Sequence, residues 1–171
     1  MKKSVVLLFA VLILLSCVCL SAPPKPTYLR IHIRANSNSE FDQAVKYAVK
    51  ENVVNFLTPI VSECKDVNSA IKSIKENLIN IEKVADNTLK ERGIEYRSNA
   101  KVKNEKFPTR VYGALTLDSG YYDALIINLG TGSGDNWWCV VYPPLCFVNG
   151  GNNYEYKSKI YQIINDFFKE K

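Results

Sequence analysis

Apolar and polar positions alternate along parts of this chain at two different periods. From Thr27 to Ala35, Leu29, Ile31 and Ile33 alternate with Arg30, His32 and Arg34. A period of two predicts a strand with one buried face, and it places His32 as a polar residue on the strand's outer side. Asn36-Ser37-Asn38-Ser39-Glu40 follows. Ser37 with Glu40, or Ser39 with Asp42, makes a capping box at a helix start. The spacing then turns helical over 40–58, where Phe41, Ala44, Val45, Ala48, Val49, Val53 and Phe56 form an apolar side that Pro59 ends or bends. A second helix spans 68–92, through Ala70, Ile71, Ile74, Leu78, Ile81, Val84, Ala85 and Leu89, with Gly93 as its C-terminal cap. Alternation returns at 94–102 and predicts another strand.

A hairpin is expected next, with 111–117 paired to 121–129 across Asp118-Ser119-Gly120. Gly130-Thr131-Gly132-Ser133-Gly134 reads as a loop, 137–142 as a last short strand, and 150–153 as a turn. A final helix covers 154–168, with Ile160, Ile163, Ile164, Phe167 and Phe168 inward. Strands gathered in the second half predict a single α+β domain. Its sheet is mainly antiparallel and packs against two long N-terminal helices and one C-terminal helix.

The first residues have a different character. Met1-Lys2-Lys3 carries positive charge, Val5 to Leu20 is uncharged and apolar, and Pro23-Pro24-Lys25-Pro26 stops any helix. The run is short for a membrane span of about 20 residues and matches a signal peptide over 1–21, leaving a domain over 22–171. Cleavage after Ser21 is preferred over Ala22, because Pro23 would follow the latter cut. An uncleaved anchor and lipidation at Cys17 stand as alternatives.

Net charge is +5 for the chain and falls to about +3 without Lys2 and Lys3. Such a mild excess is no nucleic-acid footprint, and it favours at most peripheral contact with an anionic membrane. Cys64, Cys139 and Cys146 remain after export, where disulfides form. Cys139 and Cys146 are separated by Pro143-Pro144, and a turn there brings them within bonding range, leaving Cys64 as the extra thiol. Two other uses of these cysteines stay open. One is a three-ligand zinc set with His32, the only histidine. The other is a cysteine-dependent hydrolase with His32 as base and Cys139 or Cys146 as nucleophile, oriented by Asp42 or Asn36. The G-x-G-x-G spacing at 130–134 is neither a dinucleotide fingerprint nor a P-loop.

Two dense segments suit recognition. In Asn136-Trp137-Trp138-Cys139 the adjacent indoles point to opposite strand faces, so one can be core and the other a binding anchor. In Phe107-Pro108-Thr109-Arg110-Val111-Tyr112-Gly113, Arg110 and Tyr112 share a face opposite Val111 and Gly113. Arg110 can pair with Asp42 or Glu40, or take a partner's carboxylate.

These segments, with Arg34-Ala35-Asn36-Ser37-Asn38-Ser39, Asp42-Gln43, Gly132-Ser133-Gly134-Asp135 and Pro143-Pro144-Leu145-Cys146, resemble the stage II sporulation protein R family in the same order over nearly the whole domain. Thr116-Leu117-Asp118-Ser119-Gly120 departs from it, since a proline or alanine is expected in that turn. The resemblance implies a protein of endospore formers, made in the forespore and exported into the space between the forespore and mother-cell membranes. There it would trigger a membrane-embedded aspartic-type protease of the mother cell, which processes the sigma-E precursor. The implied role is signalling rather than catalysis, with no cofactor, metal, small-molecule substrate or nucleic acid. The resemblance supplies no catalytic residues. Arg34, Asn36, Asp42, Arg110, Tyr112, Asn136, Trp137 and Trp138 are the candidate partner-binding residues, and Cys139 with Cys146 the candidate disulfide.

Overall fold

A computed structural model describes residues 28–112, 115–147 and 154–169. The expected signal segment, Gly113 and the turn at 150–153 lie outside them. Strand β1 (Leu29–Arg34) leads into helix α1 (Glu40–Ser62), then α2 (Val67–Glu76) and α3 (Leu78–Glu91). Strands β2 (Ser98–Phe107), β3 (Arg110–Tyr112), β4 (Leu115–Leu117), β5 (Gly120–Leu129) and β6 (Asn136–Tyr142) follow, then a 3-10 turn over Leu145–Phe147 and helix α4 (Tyr154–Lys169). The main sheet has the order β2-β5-β1-β6. β1 runs parallel to β5 and antiparallel to β6, and β2 is antiparallel to β5. The fold is thus α+β with a sheet that is mainly antiparallel.

Helices α1, α2 and α3 close the inner face. Leu29, Ile31 and Ile33 of β1, with Leu125, Ile127 and Leu129 of β5, pack against Val49, Val53, Leu57, Ile74, Ile81 and Leu89. Ser39 caps α1, its Oγ accepting from the Asp42 amide at 3.1 Å. Beyond α3, Gly93 takes φ +71°, and the Gly93 and Ile94 amides close back onto Lys90 and Leu89.

Several boundaries differ from the sequence reading. α1 continues through Pro59 to Ser62, because Leu57 and Val61 are fully buried and hold that turn against the core. Phe41, read as part of the apolar side, is 59% exposed. The single helix read over 68–92 breaks at Asn77. The Asn77 side chain donates to the Ser73 carbonyl at 2.9 Å, offering the backbone a local alternative to helix. β2 begins at Ser98 rather than Ile94.

The hairpin is also different. β3 pairs with β4, not with β5. β5 runs instead between β2 and β1, as its apolar stretch Ala124–Ile127 demands by being buried on both faces. In α4, Ile163 and Ile164 face the core, but Phe168 is 40% exposed and rests edge-on against Phe167. Ile160 lies outside the described side chains.

Candidate functional site

Two constellations gather the residues singled out above. The first ties the β1–α1 connection to the loop after β5. Asp42 is buried. Its carboxylate accepts from Ser37 Oγ at 2.5 Å, Tyr96 Oη at 2.7 Å and Asn36 Nδ2 at 3.0 Å. Burial alone raises its pKa, but these hydrogen bonds outweigh that and hold it below the usual carboxylate range. The same environment pushes the Tyr96 hydroxyl up, through burial first and then its bond to Asp42.

Asn36 faces the other way as well. Its Oδ1 accepts from the Thr131 amide at 3.1 Å, and its carbonyl accepts from Thr131 Oγ1 and Ser133 Oγ. Asn38 Oδ1 takes the Asp135 amide, and buried Lys46 donates to Gln43 Oε1 and the Asp135 carbonyl. The glycines serve this closeness. Gly130 and Gly132 have φ +56° and +62°, and a Cβ on Gly134 would run into the Ser37 backbone. Asn36 and Asp42, candidates for partner binding, have their polar groups engaged inside this knot.

The second constellation is the sheet's outer face. Register places Arg34 beside Asn136, His32 beside Trp138 and Arg30 beside Val140. Arg30 is fully buried. Its guanidinium sits 4.2 Å from the Phe107 ring centroid and 4.8 Å from that of Tyr122, and it donates to Tyr112 Oη at 2.9 Å. Among the described residues, Arg30 Nε and Nη1 have no hydrogen-bond partner.

His32 is fully buried too, which corrects its reading as an ordinary outer-face residue. It stacks on Trp138 at 4.7 Å and lies 5.3 Å from Phe107. Burial and the Arg34 charge push its pKa down to about 4, against the opposing pull of Glu105. Arg34 is ion-paired with Glu105, which Lys103 Nζ also approaches at 3.1 Å. The carboxyl stays low because Lys103 and Arg34 outweigh its burial.

The β3–β4 hairpin closes this face over Arg30. Arg110 stands 5.6 Å over the Trp138 ring rather than pairing with Asp42 or Glu40. Arg110 and Tyr112 share the hairpin's sheet-facing side, and Val111 points away at 66% exposure. Arg34, Arg110, Tyr112, Asn136 and Trp138 therefore come together. Trp137 does not: it packs on the inner face, with Lys50 Nζ 5.9 Å from its ring. Arg30, Phe107, Tyr122, Glu105 and Lys103 complete the site and were missed as site residues. The Arg-His-Arg alternation on β1 pointed to Arg30, and Phe107 opened the dense segment around Arg110.

Cys139 and Cys146 form a disulfide, with Cα atoms 6.1 Å apart. Cys139 lies in the inner-face core, opposite His32 across the sheet. Neither sulfur is a free thiol or thiolate ligand, so the hydrolase dyad and the zinc set both lose their parts. Cys64 is free and buried behind α1, its thiol pKa raised by burial. Among the described residues no group of three or more His, Cys, Asp or Glu could hold a metal, and no helix is long and apolar enough to cross a membrane.

No solved structure matches this chain. The family described as stage II sporulation protein R matches residues 25–152. A stage II sporulation protein R of Bacillus subtilis (strain 168) is 31% identical over 166 aligned residues, covering 89% of this chain and 74% of that protein. The shared span holds the polar knot, the outer face and both bridged cysteines, and on this evidence the chain belongs to the stage II sporulation protein R family.

Proposed function

We propose that this protein is an exported signalling ligand of endospore formation, not an enzyme. On this reading it is made in the forespore and crosses into the space facing the mother cell. There it engages the external part of a membrane-embedded aspartic-type protease, whose activation leads to processing of the sigma-E precursor. Family membership supports the sporulation role.

One observation favours a binding surface: the arginine–aromatic layer of the outer face. Exposed Arg110 of the short hairpin lies over half-buried Trp138 of β6, next to the outward Val111. Arginine and tryptophan are the side chains that anchor interfaces most often. Binding would act by favouring the dimer that an aspartic protease needs, as a population shift. An unchanged receptor oligomeric state at saturating ligand would count against that step.

The test is precursor processing in membranes that contain the protease, with added wild-type or Arg110→Ala/Val111→Ser protein. Loss of at least about tenfold in signalling potency, with an unchanged melting curve, is expected. Wild-type potency would remove this surface from the proposal. Intact mass of the exported protein tests secretion directly, since cleavage after Ser21 leaves a chain beginning at Ala22.

A further inference from the structure

The two ends of strand β2 differ in how their outward backbone groups are satisfied. Among the described strands β2 lies at the edge of the sheet, paired with β5 in unbroken register from Ser98 to Phe107. In an antiparallel pair, alternate residues turn their amides and carbonyls away from the partner. Two bonds fix which residues these are. The Ser98 amide donates to Asp86 Oδ1 and the Ala100 amide to Glu82 Oε1, both at 2.7 Å. Carboxylates of α3 thus close the first half of the edge. The same parity turns the amides of Val102, Asn104 and Lys106 outward, past the two that α3 closes, and among the described residues no side chain accepts from them.

The open half is also the basic half. Lys101, Lys103 and Lys106 are exposed along it, and its one acid, Glu105, is already held by Arg34 and Lys103. Edge lysines repel a second copy of the same edge. They attract a strand of opposite charge.

We propose that the β2 edge from Val102 to Lys106 is a docking site for an extended acidic segment of a partner protein, which adds to the sheet as a fifth strand. Main-chain bonds would supply the binding and the lysines the choice of charge. This site is separate from the Arg110 hairpin surface and does not depend on what the receptor is.

The test uses the full exported chain and a ten-residue peptide of alternating Glu and Val, titrated at low salt to about 1 mM. Amide exchange at Val102, Asn104 and Lys106 is expected to slow in its presence. A Lys101→Glu/Lys106→Glu variant, which leaves the Lys103–Glu105 contact in place, is expected to bind about tenfold more weakly. Asn104→Pro removes one outward amide without touching the β5 ladder and should abolish binding. A peptide N-methylated at alternate residues should fail on the unaltered protein, which keeps the test valid should Asn104→Pro misfold. Absence of binding, or binding indifferent to N-methylation or to lysine reversal, overturns the proposal.

Discussion

The two faces of the central sheet grow from one alternation and end in different chemistry. On the inner side, Leu29, Ile31 and Ile33 pack in one apolar cluster with aliphatic side chains from three helices. On the outer side, Arg30 and His32 are just as buried, but beneath Phe107, Tyr122, Trp138 and a short hairpin. Burial of a charge is costly unless it is paired. For Arg30 the rings' electron-rich faces and the Tyr112 hydroxyl take the place of a carboxylate. A face can therefore be a core by exposure and still hold unspent hydrogen-bonding capacity.

The largest expected effects ask whether both faces are cores in energy. Leu125→Ala on the inner face should cost about 3 kcal/mol in chemical denaturation. Phe107→Ala on the outer face should cost about 3–5 kcal/mol, since it leaves a cavity and uncovers the Arg30 guanidinium. A cost below about 1 kcal/mol for Phe107→Ala would show the outer layer to be a loose cover, not a core.

The next effect separates the faces by pH. His32 has a folded pKa near 4, below its unfolded value of 6.5. Between these values the unfolded chain binds a proton that the fold refuses. Stability should be complete above about pH 6.5, fall through the window to pH 4, and lose about 3 kcal/mol across it. Asp42 and Glu105 are shifted down from ordinary values of 3.8 and 4.5, so their contributions are full above those values and begin to fade only at the acid end of this window. His32→Phe keeps a ring against Trp138 and should flatten the slope between pH 6.5 and 4, whereas Leu125→Ala should keep it. An unchanged slope in His32→Phe would assign the titration to another group.

Much of this was legible in the residues, and the misses share a cause. The β1 strand, the Ser39 cap, the Gly93 stop and the Cys139–Cys146 spacing are local signals, and each is realised, although β1 is buried on both faces rather than one. What covers a strand's polar side is not local: Phe107 and Trp138 reach His32 from far along the chain. The same limit explains the misplaced hairpin. Val111 to Leu117 and Tyr121 to Leu129 are adjacent and both read as strands, yet β5 pairs with β1 and β2 because Ala124–Ile127 needs cover on two faces. Among the candidate site residues, Arg110 and Tyr112 were placed on one face by their spacing and Trp138 was singled out in a separate segment; only the fold brings the three together. Asn36 and Asp42, from the segment over 34–43, serve the loop knot instead, and only their hydrogen-bond partners reveal that.

The smallest expected effect is the most discriminating. Arg30→Met replaces a buried cation with an apolar chain of similar reach under Phe107 and Tyr122. Removing the charge ends its desolvation cost, and the lost ring attraction and the Tyr112 bond offset that gain. The variant should therefore lie within about 1 kcal/mol of wild type. Tyr112→Phe, which leaves the cation buried and takes away its hydroxyl partner, should cost about 1–3 kcal/mol. Denaturation of both variants under one buffer settles the order. If Arg30→Met proves the worse by several kcal/mol, the aromatic box binds the cation more strongly than it costs to bury. The charge is then a folding element. If Arg30→Met is neutral, the fold does not need the charge, and its retention beneath the hairpin that carries Arg110 is to be sought in signalling. The same variant in the precursor-processing assay would read that directly.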